Sequence, residues 1–461
     1  MKQLERLSFL DASFLALESP VTHMHVGSVA VFESSGEEMS IDRFRQFISS
    51  RLHLVNRYRQ KLAWIPLEKY PVWIDDEDFN LDFHIRHTSL PSPGTDQQLK
   101  DLAGRLMAQP LDRTKPLWEF WLVDGLPADR FGLISKIHHS MIDGISSVDL
   151  MAVMYGFSPE SDSGTAQPWH PAPTPTGAEL AAGDLGRRLR TTLDRVRNRP
   201  ERNEETVANL VHKASAVGAS LTSGWLRKGE PTPLNQPIGP NRRFSWTTMP
   251  LDDVKAVKNN LGGSLNDVVL TTVAGAVRSF LQDHRDTDVG DMEYRIMAPV
   301  SVRPTNQRGN LGNQVAMWLV DLPISDPDPQ SRYEKVAAAT QKLKSTDQAL
   351  GASTIVQMSS GTPGTLLSLG ARLAAGRRPF AATVTNVPGP QFPVFMLDAQ
   401  LVHQYPLVPL WQNQAFGLAL FSYNGELTWG INGEWDLLPD IEDFVGCIEG
   451  AFAELSAIGS S

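Results

Sequence analysis

Two proline-rich stretches constrain this chain more than any other feature. Between Phe157 and Gly183, Pro159, Pro168, Pro171, Pro173 and Pro175 stand among Ser, Thr, Gly and Ala, and a second cluster runs from Pro231 to Pro240. Proline fixes φ and removes a backbone donor, so the composition of the first stretch is wrong for a helix or a central strand. The sequence thus predicts an N-terminal part over residues 1–158, a connector over 159–240 and a C-terminal part over 241–461. A length of 461 residues suits two or three domains. With 41% hydrophobic and 20% charged residues, the chain can bury a sizeable core.

Both parts interleave helix and strand patterns. Ser40 can cap a helix carrying Ile41, Phe44, Phe47, Ile48 and Leu52 on one face, and Thr95 or Asp96 can cap another through Leu99, Leu102 and Leu106. Strand composition or alternation marks Val26 to Phe32, the trio Leu81, Phe83 and Ile85, and Glu119 to Val123. In the second part a long apolar helix spans Ser264 to Phe280. Strands follow through Tyr294, Ile296, Ala298, Val300 and Val302, and through Val315, Met317 and Leu319. Asn424 and Gly425 between two apolar runs signal a hairpin, and Pro439 opens a last helix. The texture is layered α/β in both parts.

Charge and cysteine content narrow the function. The net charge of −10 has the wrong sign for a chain that grips nucleic acid over its whole surface. Cys447, the single cysteine, excludes an intramolecular disulfide, and its apolar neighbours predict a buried structural thiol. With no secretory signal and no run of about 18 apolar residues, the expected location is cytoplasmic. From Asp184 to Arg202, seven arginines oppose three acids, with Leu185, Leu189, Leu193 and Val196 at helical spacing. Such a basic amphipathic helix serves either as a solvated bridge or as a dock on anionic headgroups.

The segment richest in chemistry is Phe131 to Leu150, FGLISKIHHSMIDGISSVDL. An alternating strand runs into His138 and His139, then reaches Asp143 and Gly144 at a turn. If the strand persists, the two rings project to opposite faces, so they cannot share one job. His139 is the expected base, and Asp143 can hold the loop through hydrogen bonds or an arginine. A satisfied histidine pair is the structural alternative. His23 and His25 in THMHVG open a further alternative, a metal site.

Taken with LDASFLALES, MHVG, Pro116–Leu117–Trp118, SLNDVVL (264–270), PVSVR (299–303) and NVPGP (386–390), the motif HHSMIDG resembles the bacterial wax ester synthase/diacylglycerol acyltransferases. These lie within a wider CoA-dependent group that includes chloramphenicol acetyltransferase and peptide-synthetase condensation domains. The resemblance runs nearly end to end. It implies two chloramphenicol acetyltransferase-like α/β lobes with mixed sheets, joined by a linker and enclosing an interface tunnel. It also implies that His139 takes the proton of a fatty alcohol or diacylglycerol hydroxyl as that oxygen attacks the acyl-CoA thioester. Acyl-CoA is then a substrate, and no cofactor, metal or covalent intermediate is required.

Other residues fill out this site. Asn266, where a helix begins, is the candidate oxyanion donor. Asp267, three residues after Ser264, fits a capping box as well as a substrate contact. Pro116, Leu117, Trp118, Asn386 and Pro388 carry no titratable group and would shape substrate walls. Arg303 can pair with Asp143. Arg242, Arg243, Arg308, Arg377 and Arg378 are available to CoA phosphates. Peripheral attachment to the inner membrane or to lipid droplets follows from the connector helix and insoluble products. The alternatives are an amide-forming condensation-type enzyme and a non-catalytic lipid-droplet protein.

Overall fold

Capping side chains start the helices where the sequence places them. In the computed structural model, which describes residues 5–36, 38–66, 68–141, 153–159, 164–197, 231–301, 315–345 and 380–459, Ser40 Oγ accepts the Arg43 N–H at 3.2 Å and opens Ile41–Arg51. Thr95 forms a capping box with Gln98 and opens Asp96–Met107. The described strands are β1 (Glu5–Arg6), β2 (His25–Ser34), β3 (Gln60–Trp64), β4 (Pro71–Asp75), β5 (Ile85–Ser89), β6 (Trp118–Asp124), β7 (Arg130–His138), β8 (Arg242–Pro250), β9 (Tyr294–Ser301), β10 (Val315–Leu322), β11 (Ala382–Pro388), β12 (Phe395–Met396), β13 (Ala399–Leu407), β14 (Phe416–Tyr423) and β15 (Glu426–Glu434).

Two mixed six-stranded sheets carry the molecule, as the α/β reading expects. One has the order β12-β13-β2-β7-β6-β5, the other β10-β9-β11-β14-β15-β8, and β1, β4 and β3 form a small third sheet. The parallel pairs are β5 with β6, and β11 with both β9 and β14. Asn424 and Gly425 turn at φ of 45° and 87° between β14 and β15, the hairpin their sequence predicts. Helix Leu265–Arg285 buries Val269, Val273, Val277 and Phe280 in the C-terminal core, and Phe44, Phe47, Trp118 and Phe120 fill the N-terminal core.

The connector does not divide the sheets at residue 241. β12 and β13 come from the C-terminal part, yet β13 pairs with β2 from Ala399 opposite Ser34 to Leu407 opposite Gly27. A third apolar cluster joins Val29, Leu99 and Leu102 to Phe244, Trp246 and Tyr405, so the parts share a core.

Three local expectations change. Leu81–His84 is a helical turn rather than strand, because Asn80 Oδ1 accepts the Asp82 N–H at 2.9 Å; the strand begins at Ile85. The connector helix starts at Gly177, inside the stretch expected to be non-helical. Beyond Pro175 no proline intervenes, and Thr176 and Glu179 bond reciprocally at its start. Cys447 is only partly buried, and burial raises its thiol to about 11.

Gly27 fixes the approach of β2 to β7. A Cβ there would lie 1.9 Å from the Ser135 carbonyl oxygen. Gly27→Ala should therefore cost roughly 3 kcal/mol or more, read as a lower urea midpoint. An unchanged midpoint would contradict this close pairing.

Candidate active site

β7 delivers the histidines, and β2 decides where it stops. His25 stands opposite His138 on the ladder, and the His138 N–H bonds the Leu117 carbonyl at 2.9 Å. One residue later the His139 N–H turns to the Met24 carbonyl at 2.8 Å, and His139–Met141 wind into a single 3-10 turn. Extended alternation thus ends at His138, and the turn rather than the pleat orients His139.

The helix Phe9–Leu17, capped by Ser8, brings two side chains to this turn. Phe14 stacks on the His139 ring, with centroids 4.0 Å apart and planes at 28°. Glu18, at the helix C-cap, places Oε1 3.6 Å from His138 Nε2 and 3.5 Å from His25 Nε2. The Met24 N–H donates to the same oxygen at 3.3 Å, while Arg113 bonds Glu18 Oε2 through Nε at 3.0 Å and also through Nη2. Burial pushes the Glu18 carboxyl up, but His138, Arg113 and His25 outweigh it and hold the group well below the usual carboxylate range.

Burial, reinforced by the neighbouring His138, lowers His139 to about 4. At neutral pH the imidazole is therefore unprotonated and able to accept a proton. His25 is lowered well below its ordinary value, first by burial and then by Lys136 and His138. His23 stacks on His25 at 5.4 Å and is likewise lowered by burial. Among the described residues, the His, Asp and Glu ligand atoms that converge enough for a metal ion belong to His284, Asp440 and Asp443, not to His23 and His25.

A second group of sequence-selected residues meets in the C-terminal part. Asn266, Asp267, Pro299, Val300 and Asn386 line one cleft, joining SLND, the start of PVSVR and NVPGP. Asn386 Nδ2 donates to Asn266 Oδ1 at 3.0 Å. Asp267 Oδ2 accepts from the Ser264 N–H and Oγ, each at 2.7 Å, and its Oδ1 accepts from Thr340 Oγ1 at 2.6 Å. Oδ2 thus caps the helix start, the role that competed with substrate contact, and Oδ1 ties that start to the helix Pro329–Ser345. Pro388 ends β11 exposed, and Gly389 follows because a Cβ there would meet the Phe421 ring at 2.3 Å.

Pro116, Leu117 and Trp118 are all buried. Trp118 stacks on His84 at 4.6 Å and donates from Nε1 to the Tyr58 carbonyl at 2.9 Å, so this segment braces the wall behind His138. Arg242 is buried and donates to the carbonyls of Gly239, Asn241 and Val21, a set of internal bonds rather than an offer to phosphate. Arg243 lies over Trp435 at 3.8 Å. Asp143, Gly144, Arg303, Arg308, Arg377 and Arg378 lie outside the described residues.

Sequence reasoning assigned no role to Phe14, Glu18, Met24 or Arg113. The helical spacing of Phe14 and Glu18 was the available signal. Arg113 stands 95 residues from Glu18, and no local pattern links them.

Residues 7–269 match the model of the wax ester synthase/diacylglycerol acyltransferase catalytic domain, and residues 311–456 match the C-terminal domain of the same family. The chain belongs to this family. It is an acyltransferase. A Mycobacterium tuberculosis protein named a probable diacylglycerol O-acyltransferase is 30% identical over 465 residues, covering 99% of this chain and 96% of the relative. The solved wax ester synthase/diacylglycerol acyltransferase of Marinobacter aquaeolei VT8 superimposes with a TM-score of 0.69 at 25% identity, over 99% of this chain and all of the other. A starter condensation domain of rhizomide synthetase shares the fold at a TM-score of 0.59 and 15% identity, over 100% of this chain and 95% of that one. The two-lobe α/β architecture of these structures is the one the motifs implied.

Proposed function

We propose that this acyltransferase moves a fatty acyl group from acyl-CoA to the hydroxyl of a long-chain alcohol, a diacylglycerol or both, giving wax ester or triacylglycerol. The observation that carries this reading is the half-buried, unprotonated His139 ring at the end of β7, in a chain of this family.

The His139 imidazole takes the hydroxyl proton as the oxygen attacks the thioester carbonyl. The resulting oxyanion collapses, the C–S bond breaks, and the CoA thiolate recovers the proton from imidazolium. General-base help of this kind is worth roughly 10² to 10⁴ in rate. Asn266 suits the oxyanion, since Asn386 engages its carbonyl end and leaves its amide hydrogens for an anion. The chemistry needs no resident cofactor.

Labelled palmitoyl-CoA offered to the purified protein with hexadecanol, diacylglycerol and a free amine in competition should yield wax ester, triacylglycerol or both. An amide as the main product would instead support condensation-type chemistry, and absence of any acyl product would support a non-catalytic lipid-droplet role.

Peripheral attachment to the inner membrane or to lipid droplets belongs to the same proposal. Among the described residues no helix is long and apolar enough to cross a membrane. In helix Gly177–Arg197, Leu185, Leu189 and Leu193 are 60%, 57% and 66% exposed, a leucine stripe on an arginine-rich helix. The protein should float with phosphatidylglycerol vesicles, and replacing all three leucines by glutamate should abolish flotation. Equal flotation of that variant would remove the helix from the proposal.

A further inference from the structure

The proton of His138 can be placed from its neighbours. The Ser140 backbone N–H points at His138 Nδ1 from 3.1 Å, and Ser140 Oγ lies 2.7 Å from the same nitrogen. A backbone N–H only donates, so Nδ1 must be the lone-pair nitrogen and Nε2 carries the hydrogen. That hydrogen lies on the side of Glu18 Oε1, 3.6 Å from Nε2, on a ring only 1% exposed. The separation is too long for a strong hydrogen bond, so the contact is chiefly electrostatic.

Glu18 is itself fixed. Arg113 grips Oε2, the Met24 N–H reaches Oε1, and the carboxylate sits at the end of the helix whose Phe14 stacks on His139. Met24 also accepts the His139 N–H. The same few residues therefore hold both histidines.

We propose that Glu18, clamped by Arg113, is a positioning residue for acyl transfer. The electronegative oxygen it turns toward Nε2 favours the His138 form with hydrogen on that nitrogen, which leaves Nδ1 as the acceptor that closes the His138–Ser140 turn and aims the His139 ring. In the other tautomer, the Ser140 N–H would face an N–H and the turn would lose its tie. The inference rests on His139 being the base, and Glu18 acts through the histidines.

The test compares Glu18→Ala with Glu18→Gln, whose amide oxygen still turns a partial negative charge toward Nε2. Glu18→Ala should lower kcat on the order of tenfold or more, because small misplacements of a base are costly, with KM for palmitoyl-CoA nearly unchanged. Glu18→Gln should retain most of kcat. In ¹⁵N-histidine-labelled protein, with the His138 signals identified by their loss in His138→Gln, wild type and Glu18→Gln should show the Nε2–H tautomer and Glu18→Ala a mixture. If Glu18→Ala does not fold, Arg113→Gln releases the carboxylate and should lower kcat in the same sense, with the same tautomer mixing.

Wild-type kcat in the alanine variant, or a reduced kcat with His138 wholly in the Nε2–H form, would overturn the proposal. In the Arg113→Gln substitute experiment, either of those results would overturn it equally. His139→Ala, run alongside, separates the two readings. Full activity in that variant removes the base itself, whereas an inactive His139→Ala beside a fully active Glu18→Ala removes only the role of Glu18.

Discussion

Pairing of β2 with β7 sets where the strand ends, and with it where His139 stands. Gly27 lets the two backbones approach beside Ser135, and His25 then falls opposite His138. The Met24 carbonyl, just before β2, captures the His139 N–H and breaks the ladder. A shift of one residue in this register would turn every side chain of β2 to the other face and withdraw Met24 from the turn. The chemistry of the site thus depends on a backbone distance that only glycine permits.

Burial then does two opposite things within a few ångströms. It strips the charge from His139 and His25, because an apolar setting disfavours imidazolium. At Glu18 it is overruled, because the facing His138 N–H and the charge of Arg113 keep the carboxylate ionised. Neutral base and fixed anion coexist because the anion has a cation gripping it and the base does not.

Much of this was legible in the residues. Capping at Ser40, Thr95 and Ser264, the Asn424–Gly425 hairpin and the alternating run into His138 are local signals, and the structure follows them. The helix from Gly177 was hidden because the prolines before it dominated the composition, whereas the Thr176–Glu179 bond decides its start. The placement of β13 beside β2 was illegible for a different reason: it depends on contacts across hundreds of positions, for which one chain has no local pattern. Glu18 and Arg113 escaped for the same cause. The meeting of Asn266 with Asn386 joins two motifs that sequence could name but not bring together.

The central claim is that a neutral, half-buried imidazole at position 139 accepts the hydroxyl proton. It is tested most directly by the pH dependence of kcat for acyl transfer from palmitoyl-CoA, in protein shown by circular dichroism to be folded at each pH. Because the unprotonated ring is the active form and burial lowers it to about 4, activity should persist well below pH 6.5 and fall only as the pH nears 4. Any residual activity of His139→Ala should lack that limb. An acid limb at or above 6.5, or the same limb in the alanine variant, would contradict the account.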